Sequence, residues 1–145
     1  MAIWLGYIGH MATSFSLDKF ASASPLDRAR AVARGLPVSA LRDLVADRSM
    51  TLADVARAVG ARRTLDRRLK EGTPLSPRES DRLARLVTVL GLATEIFGDR
   101  AEAMRWLGEP KAQLDDQAPL DLMKTDVGAR AVEDYVLQMR HGFFA

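Results

Sequence analysis

Cysteine is absent from this 145-residue sequence, and histidine occurs twice, at His10 and His141. Without cysteine the chain has no disulfide, no thiolate-ligated zinc and no cysteine nucleophile. The two histidines lie near opposite ends of the chain without a second imidazole beside either, so we do not expect a histidine-rich metal site. The sequence therefore predicts a protein that is stabilised by packing and that binds no metal or cofactor.

Long hydrophobic runs are missing as well. The apolar stretch near the start of the chain is interrupted by Gly6 and Gly9, and no Lys or Arg precedes it. It is too short and wrongly flanked for a secretory signal or a membrane span. We expect a cytoplasmic protein without membrane contact, in which residues 1–24 form a flexible arm. A partner-binding strand and material outside the natural start are the alternatives for the apolar opening, residues 1–15.

The charges that are present divide unevenly along the chain. Hydrophobic residues make up 48% and charged residues 28%, a balance typical of a folded globular protein. Residues 1–72 contain 12 Lys and Arg against 7 Asp and Glu, a net charge of +5, whereas residues 73–145 contain 9 against 12, a net charge of −3. This asymmetry indicates a basic front half for a polyanion and a more acidic rear half for a different partner.

Helical periodicity dominates the sequence, and alternation with a period of two does not persist beyond a few residues. Ser, Thr and Asp residues before the apolar periodic segments mark helix starts, and Gly residues after them mark helix ends. The fold class expected is all-α. We predict helices from residue 25 to Gly35, over 38–47, 52–59, 62–71 and 77–97, from Asp99 to about 107, near 119–123, and from Thr125 to Gly142.

Residues 52–69 have the pattern of a helix-turn-helix, in which a short helix is followed by a turn and by a second helix with a basic start. Ala53 and Ala56 are small enough to let the two helices approach closely, and Gly60 permits the positive φ that a tight turn can require. In such motifs the first residues of the second helix meet base edges, and nearby basic residues contact phosphates. The candidate DNA-binding residues are Arg62, Arg63 and Thr64 for bases, and Arg67, Arg68 and Lys70 for phosphates.

A solvated amphipathic helix is the alternative interpretation of residues 62–71. The arginines would then keep the helix soluble, and the helix would carry internal pairs between Arg62 and Asp66 and between Arg67 and Glu71. Any turn between two small helices can imitate the motif. The sequence therefore leaves DNA binding open at this point.

No constellation of residues suits catalysis. The histidines are remote from any nucleophile motif, and glycine loops that cradle phosphates are missing. The paired carboxylates Asp115 and Asp116 are adjacent in sequence, and adjacent helix positions point about 100° apart, so the two groups do not converge as a general acid and base would. We expect a protein that is not an enzyme.

Seven short motifs follow one another through the chain from residue 64 to its end. They are T-L-D-R-R-L (64–69), L-S-P-R-E-S-D-R-L (75–83), E-I-F-G-D (95–99), A-M-R-W-L (103–107), P-L-D-L-M (119–123), G-A-R-A-V-E-D (128–134) and H-G-F-F-A (141–145). In order and spacing they resemble the antitoxins of the Xre/MbcA/ParS family. The rear motifs, which resemble that family's toxin-binding domain, are the more specific.

The resemblance implies a domain organisation and a partner. It implies a helix-turn-helix region over residues 25–75 and a small helical toxin-binding domain over 76–145. The partner implied is a toxin with a RES domain, which consumes or modifies NAD or ADP-ribosylates a target and is blocked when the antitoxin's C-terminal segment enters its NAD cleft. Trp106 and Gly128 are instead interpreted as packing residues. The candidate toxin-binding residues are Arg130, Glu133, Asp134, Arg140, His141, Gly142, Phe143, Phe144 and Ala145.

Two further interpretations stay open. The phenylalanines of the tail lie next to a terminal carboxylate and suit a nucleotide pocket, but folding back onto the chain's own core is the alternative. We expect a type II antitoxin that forms a hetero-oligomer with its toxin and represses its own operon as a homodimer on operator DNA, because paired helix-turn-helix units read half-sites. The alternatives are a plain transcription regulator whose rear domain dimerises it, and an adaptor with a non-functional helix-turn-helix.

Overall fold

The computed structural model describes residues 15–46 and 48–142 of the chain. These residues form helices joined by short connections, and no β-strand occurs within the described ranges. Within the same ranges, no helix has both the length and the apolar character that crossing a membrane requires. The expectation of an all-α fold is confirmed. The helices are α1 (Leu17–Ser22), α2 (Pro25–Arg34), α3 (Val38–Val45), α4 (Leu52–Ala58), α5 (Arg62–Glu71), α6 (Pro77–Phe97), α7 (Arg100–Gly108), α8 (Pro119–Leu122) and α9 (Asp126–Arg140), with a 3₁₀ turn at Ala112–Leu114.

Polar side chains start most of the longer helices at the positions that the sequence predicts. Each of these side chains accepts a hydrogen bond from a backbone N–H in the turn that follows. Because the first N–H groups of a helix have no carbonyl partner within it, each such cap contributes about 0.5–2 kcal/mol. The capping residues are Ser24, Thr51, Ser76, Asp99 and Thr125.

Helix α6 is the central element of the fold. It packs against α2, α7 and α9, and it also contacts α1 and α4. Leu83, Leu86 and Ala93 of this helix are fully buried. A single hydrophobic cluster contains residues of α1, α4, α6, α7 and α9, and Ala31 and Val32 of α2 pack against it. Burial of each leucine side chain contributes about 1.5–3 kcal/mol. The front and rear halves of the chain therefore share one core.

The connection between α2 and α3 is fixed to the start of α6. The backbone N–H of Leu36 donates to the buried Ser80 hydroxyl at 2.8 Å, and the N–H of Leu75 donates to the Leu36 carbonyl at 2.9 Å. Gly35 has a φ of 91°, and a Cβ at this position would lie 2.4 Å from the Leu75 carbonyl oxygen. The helix end predicted at Gly35 therefore also provides the close approach between two backbone segments.

Residues 15–24 differ from the flexible arm that we expected over residues 1–24. Phe15 and Phe20 are buried with their ring centroids 5.7 Å apart, and the Arg28 guanidinium lies 5.5 Å from the Phe20 ring. The N–H of Leu17 donates to a carboxylate oxygen of Asp43 at 3.4 Å, and α1 packs against α3 and α6. The arm interpretation is wrong for residues 15–24, because two aromatic side chains gain burial there. Residues 1–14 lie outside the described residues.

Candidate functional site

Helices α4 and α5 form the helix-turn-helix that the sequence predicts. Val55 and Val59 on one side and Leu65 on the other are fully buried, so the two helices meet through apolar side chains. Thr51 and Asp54 form a reciprocal capping box at the start of α4. The motif therefore has its own hydrophobic contact and a well-defined first helix.

Two details of this turn differ from the prediction. Ala53 is exposed, and the alanine buried in the core is Ala58, so Ala53 does not lie where the helices cross. Gly60 is not among the described glycines with positive φ, and a Cβ there would meet only the Glu79 side chain at 3.8 Å, an ordinary contact. The turn closes without a left-handed residue: Val59, at the end of the first helix, has a right-handed backbone, donates its N–H to the Val55 carbonyl and is itself buried.

The first half of α5 presents cations that the described residues of the chain do not engage. Arg62, Arg63 and Arg67 are exposed, and none of them forms a hydrogen bond or ion pair within residues 15–46 and 48–142. The N-cap residue Ala61 has a methyl side chain, which cannot accept a hydrogen bond from the first N–H groups of the helix. These N–H groups and the helix dipole favour an anion at this end. The predicted base-reading residues therefore project from the chain, with Thr64 half-buried beside them.

The two remaining candidates on α5 have partners inside the chain. Lys70 is exposed and forms an ion pair with Asp66 at 3.1 Å. A pair of this kind on a helix surface is weak, about 0.3–0.5 kcal/mol, so Lys70 can exchange it for a phosphate. Arg68 is only 20% exposed, and its guanidinium donates to both carboxylate oxygens of Glu79, at 2.6 and 2.9 Å, and to the Pro74 carbonyl at 3.0 Å.

The Arg68–Glu79 pair perturbs both groups. Burial on its own would raise the pKa of the Glu79 carboxyl, but hydrogen bonds from Arg68 and from Ser76 outweigh it and hold that pKa below its ordinary value. The hydrogen bond to Glu79 raises the pKa of Arg68. The assignment of Arg68 to a phosphate contact is therefore corrected: its hydrogen-bonding capacity is used to fix the second half of α5 to the start of α6.

A second bidentate pair, which the sequence analysis did not identify, joins the helix-turn-helix to the rear half. Arg57 of α4 donates to both carboxylate oxygens of Asp121 in α8, each at 2.9 Å, and to the Gly108 carbonyl at 3.1 Å. These hydrogen bonds lower the pKa of Asp121 and raise that of Arg57. The partners are 64 residues apart, so no local pattern signals the contact.

The candidate toxin-binding residues of the rear half lie along the exposed face of α9. Arg130, Asp134 and His141 are exposed and, at 100° per residue, fall within about 40° of one another around the helix. Glu133 is half-buried beside them, and Arg140 forms an exposed ion pair with Glu95 of α6 at 3.4 Å. The face ends at Gly142, whose φ is 78°. Phe143, Phe144 and Ala145 lie outside the described residues.

Aromatic side chains hold the middle of α9 in place. Trp106 of α7 stacks on Tyr135 with a centroid separation of 5.7 Å and an interplanar angle of 8°, and Phe97 packs on the same indole at 5.7 Å. The Lys111 ammonium lies 5.0 Å from the Trp106 ring. The prediction that Trp106 anchors the core between the two longest helices is confirmed.

The start of α9 approaches α8 so closely that only glycine fits. A Cβ on Gly128 would lie 1.9 Å from the Leu122 carbonyl oxygen and 2.9 Å from the Thr125 hydroxyl oxygen, both below any normal contact distance. The N–H of Gly128 donates to that same hydroxyl at 3.0 Å. Gly128 is therefore a packing residue, as predicted.

Comparisons with known proteins find two family matches, one after the other along the chain. Residues 27–87 match the family described as "Antitoxin Xre-like helix-turn-helix domain", and residues 92–142 match "Antitoxin Xre/MbcA/ParS C-terminal toxin-binding domain". The chain is 36% identical to an Antitoxin Xre from Pseudomonas putida over 81 residues, which cover 56% of this chain and about half, 51%, of that protein.

Two other relatives are similar over longer segments. An Antitoxin Xre from Yersinia enterocolitica is 35% identical over 99 residues, 67% of each chain. A protein from a Sphingobium species, named Prs ADP-ribosylating antitoxin, is 24% identical over 141 residues, which cover 90% of this chain and 89% of that protein. The similarity therefore extends through both halves of the chain.

Proposed function

Because the chain belongs to the Xre/MbcA/ParS family of antitoxins, we propose that its rear half neutralises a RES-domain toxin and that its front half binds operator DNA and represses its own operon. The toxin consumes NAD or transfers its ADP-ribose group. The name of the Sphingobium relative supports ADP-ribose chemistry in this setting. Because the proposed partners are a bacterial toxin and operator DNA, the proposal includes a cytoplasmic location for the chain.

The exposed face of α9 is the observation that carries the toxin-binding half of this proposal. Charged residues of both signs lie on it over about 17 Å, from Arg130 to His141, at a rise of 1.5 Å per residue. The glycine fit of Gly128 and the Trp106 stack hold the opposite face, so the exposed residues are presented without a large loss of entropy on binding. The helix leads directly to Phe143, Phe144 and Ala145, which we propose enter the NAD cleft of the toxin.

The tail is tested by co-expression with the neighbouring open reading frame. The readouts are co-purification, growth and the cellular NAD level. A chain lacking residues 143–145 is expected to lose protection while it keeps its thermal unfolding profile and its DNA affinity. The matched control is Leu26→Ala, which removes an exposed apolar side chain from α2. Full protection by the truncated chain would exclude occlusion by the tail, and a neighbour that does not bind would favour the plain regulator.

The unengaged arginines of α5 support the DNA-binding half. Since each bound phosphate contributes about 0.9 to the slope of log K against log salt, Arg63→Ala with Arg67→Ala is expected to reduce the slope by about one unit for each phosphate no longer bound. The matched control is Arg30→Ala with Arg105→Ala, which removes the same charge at exposed sites on α2 and α7. If the control weakens binding as much as the α5 variant, the effect is one of net charge and α5 is not the reader.

The proposed homodimer follows from the same helix. One α5 reads a short half-site. Two copies related by a twofold axis read the two half-sites of a palindrome, whose centres lie about one turn of DNA apart. Protection of two half-sites on operator DNA, with two chains bound per duplex, is the expected result. Protection of one isolated half-site would contradict it.

A further inference from the structure

A second basic surface lies beside the start of α5, and residues outside the helix-turn-helix build it. One shallow cleft is lined by Gly60 and Ala61 of the turn, by Arg82 of α6 and by Lys124, which lies between α8 and α9. A neighbouring cleft also contains Arg82 and Lys124 and adds Arg78. Because they share two cations, the clefts form one continuous surface. We name the surface around Arg78, Arg82 and Lys124 the basic groove.

The two carboxylates of the basic groove share one arginine partner and are outnumbered by the cations around them. Asp81 and Asp126 line the second cleft, but Arg85 forms ion pairs with both, at 3.2 and 3.8 Å. Arg78 and Lys124 are exposed, and within the described parts of the chain neither forms a hydrogen bond or an ion pair. The groove therefore keeps a net positive charge with two cations available for an external anion.

Arg82 has a different position from the other two cations. Its side chain is half-buried, and its guanidinium donates to the Val59 carbonyl of the turn at 3.4 Å. This hydrogen bond fixes one wall of the groove to the helix-turn-helix. Arg82 is therefore a positioning residue, and Arg78 and Lys124 are the residues free to bind.

The basic groove is continuous with the DNA-reading surface of α5. Ala61 lines the groove, and Arg62, the next residue, is the first of the unengaged arginines. A duplex whose base edges meet Arg62 and Arg63 therefore passes beside Ala61, a residue that lines the groove.

We propose that Arg78 and Lys124 bind the DNA backbone next to the bases that α5 reads, so that the toxin-binding half contributes part of the DNA interface. This inference rests on the proposed DNA binding. Its ligand is the phosphate of a duplex, since the groove adjoins a helix-turn-helix and its cations lie beside the helix that meets the bases. The affinity of the antitoxin for DNA then depends on Lys124, a residue that belongs to the match with the toxin-binding domain.

The test compares three full-length proteins by fluorescence anisotropy on a duplex from the chain's own promoter and on a scrambled duplex, over a range of salt concentrations. They are the unchanged chain, Arg78→Gln with Lys124→Gln, and the control Arg30→Gln with Arg105→Gln. The groove variant is expected to bind about tenfold more weakly for each phosphate no longer bound at about 0.1 M salt, and its salt slope to fall by about two units for each bound chain, or about four for two chains on one duplex. Its preference for the promoter over the scrambled duplex is expected to stay unchanged, because phosphate contacts carry no sequence information.

Three results would overturn the proposal. If the groove variant keeps the slope of the unchanged chain, the groove does not contact DNA, although the proposed DNA binding by α5 stands. If the control lowers the slope equally, the effect is one of net charge. If the unchanged chain binds neither duplex, the proposed DNA binding fails as well. Coincident thermal unfolding of the three proteins verifies that the fold is unaffected.

Discussion

Helices α5 and α9 are each anchored at one end. The anchor of α5 is at its C-terminal end, and the anchor of α9 is at its N-terminal end. The last turns of α5 are held by the Arg68–Glu79 pair and by Arg42, which donates to the Leu69 carbonyl at 3.0 Å, so its N-terminal end is presented. Helix α9 is held at its start by Gly128, so its C-terminal end is presented. In α5 the anchor lies at the end opposite the presented residues, whereas in α9 the presented face begins at Arg130, just after the Gly128 anchor, and continues to the C-terminal end. In both helices the residues named as anchors are distinct from the candidate binding residues.

The largest expected effect comes from the anchor of α9. Gly128→Ala places a methyl group against the Leu122 carbonyl, where neither backbone can move without displacing the start of α9. We expect the free energy of unfolding, measured in urea, to fall by about 3 kcal/mol or more. Gly91→Ala is the matched control, because nothing lies within 4 Å of its Cβ position in α6, and it is expected to stabilise by about 0.5–1 kcal/mol. Equal stability of the two variants would refute the close-approach argument.

Loss of the α5 anchor is expected to have an intermediate effect on stability. Substituting the adjacent residues Arg67 and Arg68 separates the effect on stability from the effect on DNA binding. Arg68→Ala leaves Glu79 partly buried without its partner, so we expect a loss of about 1–3 kcal/mol of stability. Arg67→Ala is expected to change stability by less than about 0.5 kcal/mol while weakening DNA binding. Urea unfolding and anisotropy on the same two proteins measure both quantities. A similar stability loss from both substitutions would mean that Arg67 also anchors the helix.

The smallest effect is the pH dependence that the same anchor introduces. The pKa of Glu79 is lower in the folded chain than its ordinary value of 4.5, so its contribution is present above that pH and is lost as pH falls through the lower folded value. The pKa of Asp121 is lowered in the same way from its ordinary value of 3.8. We expect unfolding free energy to decrease as the pH is lowered below about 4.5, by on the order of 1 kcal/mol from Glu79.

The variant Glu79→Gln isolates the contribution of this carboxyl. It should show a flatter dependence between neutral and acidic pH, whereas Glu102→Gln, a change in an exposed pair with Arg105, should follow the unchanged chain. Urea unfolding at several pH values measures the difference. Parallel curves for Glu79→Gln and the unchanged chain would remove Glu79 as the cause.

Local signals predicted the helices from α2 onward and the exposed start of α5, but they missed α1 and did not separate the arginines of α5 by role. Caps such as Thr51 and Ser76 act within three residues, so the sequence shows them directly. Arg67 and Arg68 are adjacent and chemically identical. Only the position of Glu79, which the packing of α6 sets, gives Arg68 a structural partner. The burial of Phe15 depends in the same way on distant helices, which the sequence of residues 15–24 does not reveal.

Helix α6 has a consequence for how antitoxins of this family acquire specificity for new toxins. Its 21 residues begin inside the match to the helix-turn-helix domain and finish inside the match to the toxin-binding domain, and the interval between the matches, 88–91, falls in mid-helix. A recombination event that exchanged toxin specificity would therefore have to join two half-helices in the correct register. Because each residue turns a helix by about 100°, one inserted or deleted residue at the junction would rotate every side chain beyond it to a different face. The recombination event would also have to bring together a matching Arg57 and Asp121. Specificity in this scaffold is thus expected to diverge by substitution along α9 more readily than by exchange of whole modules.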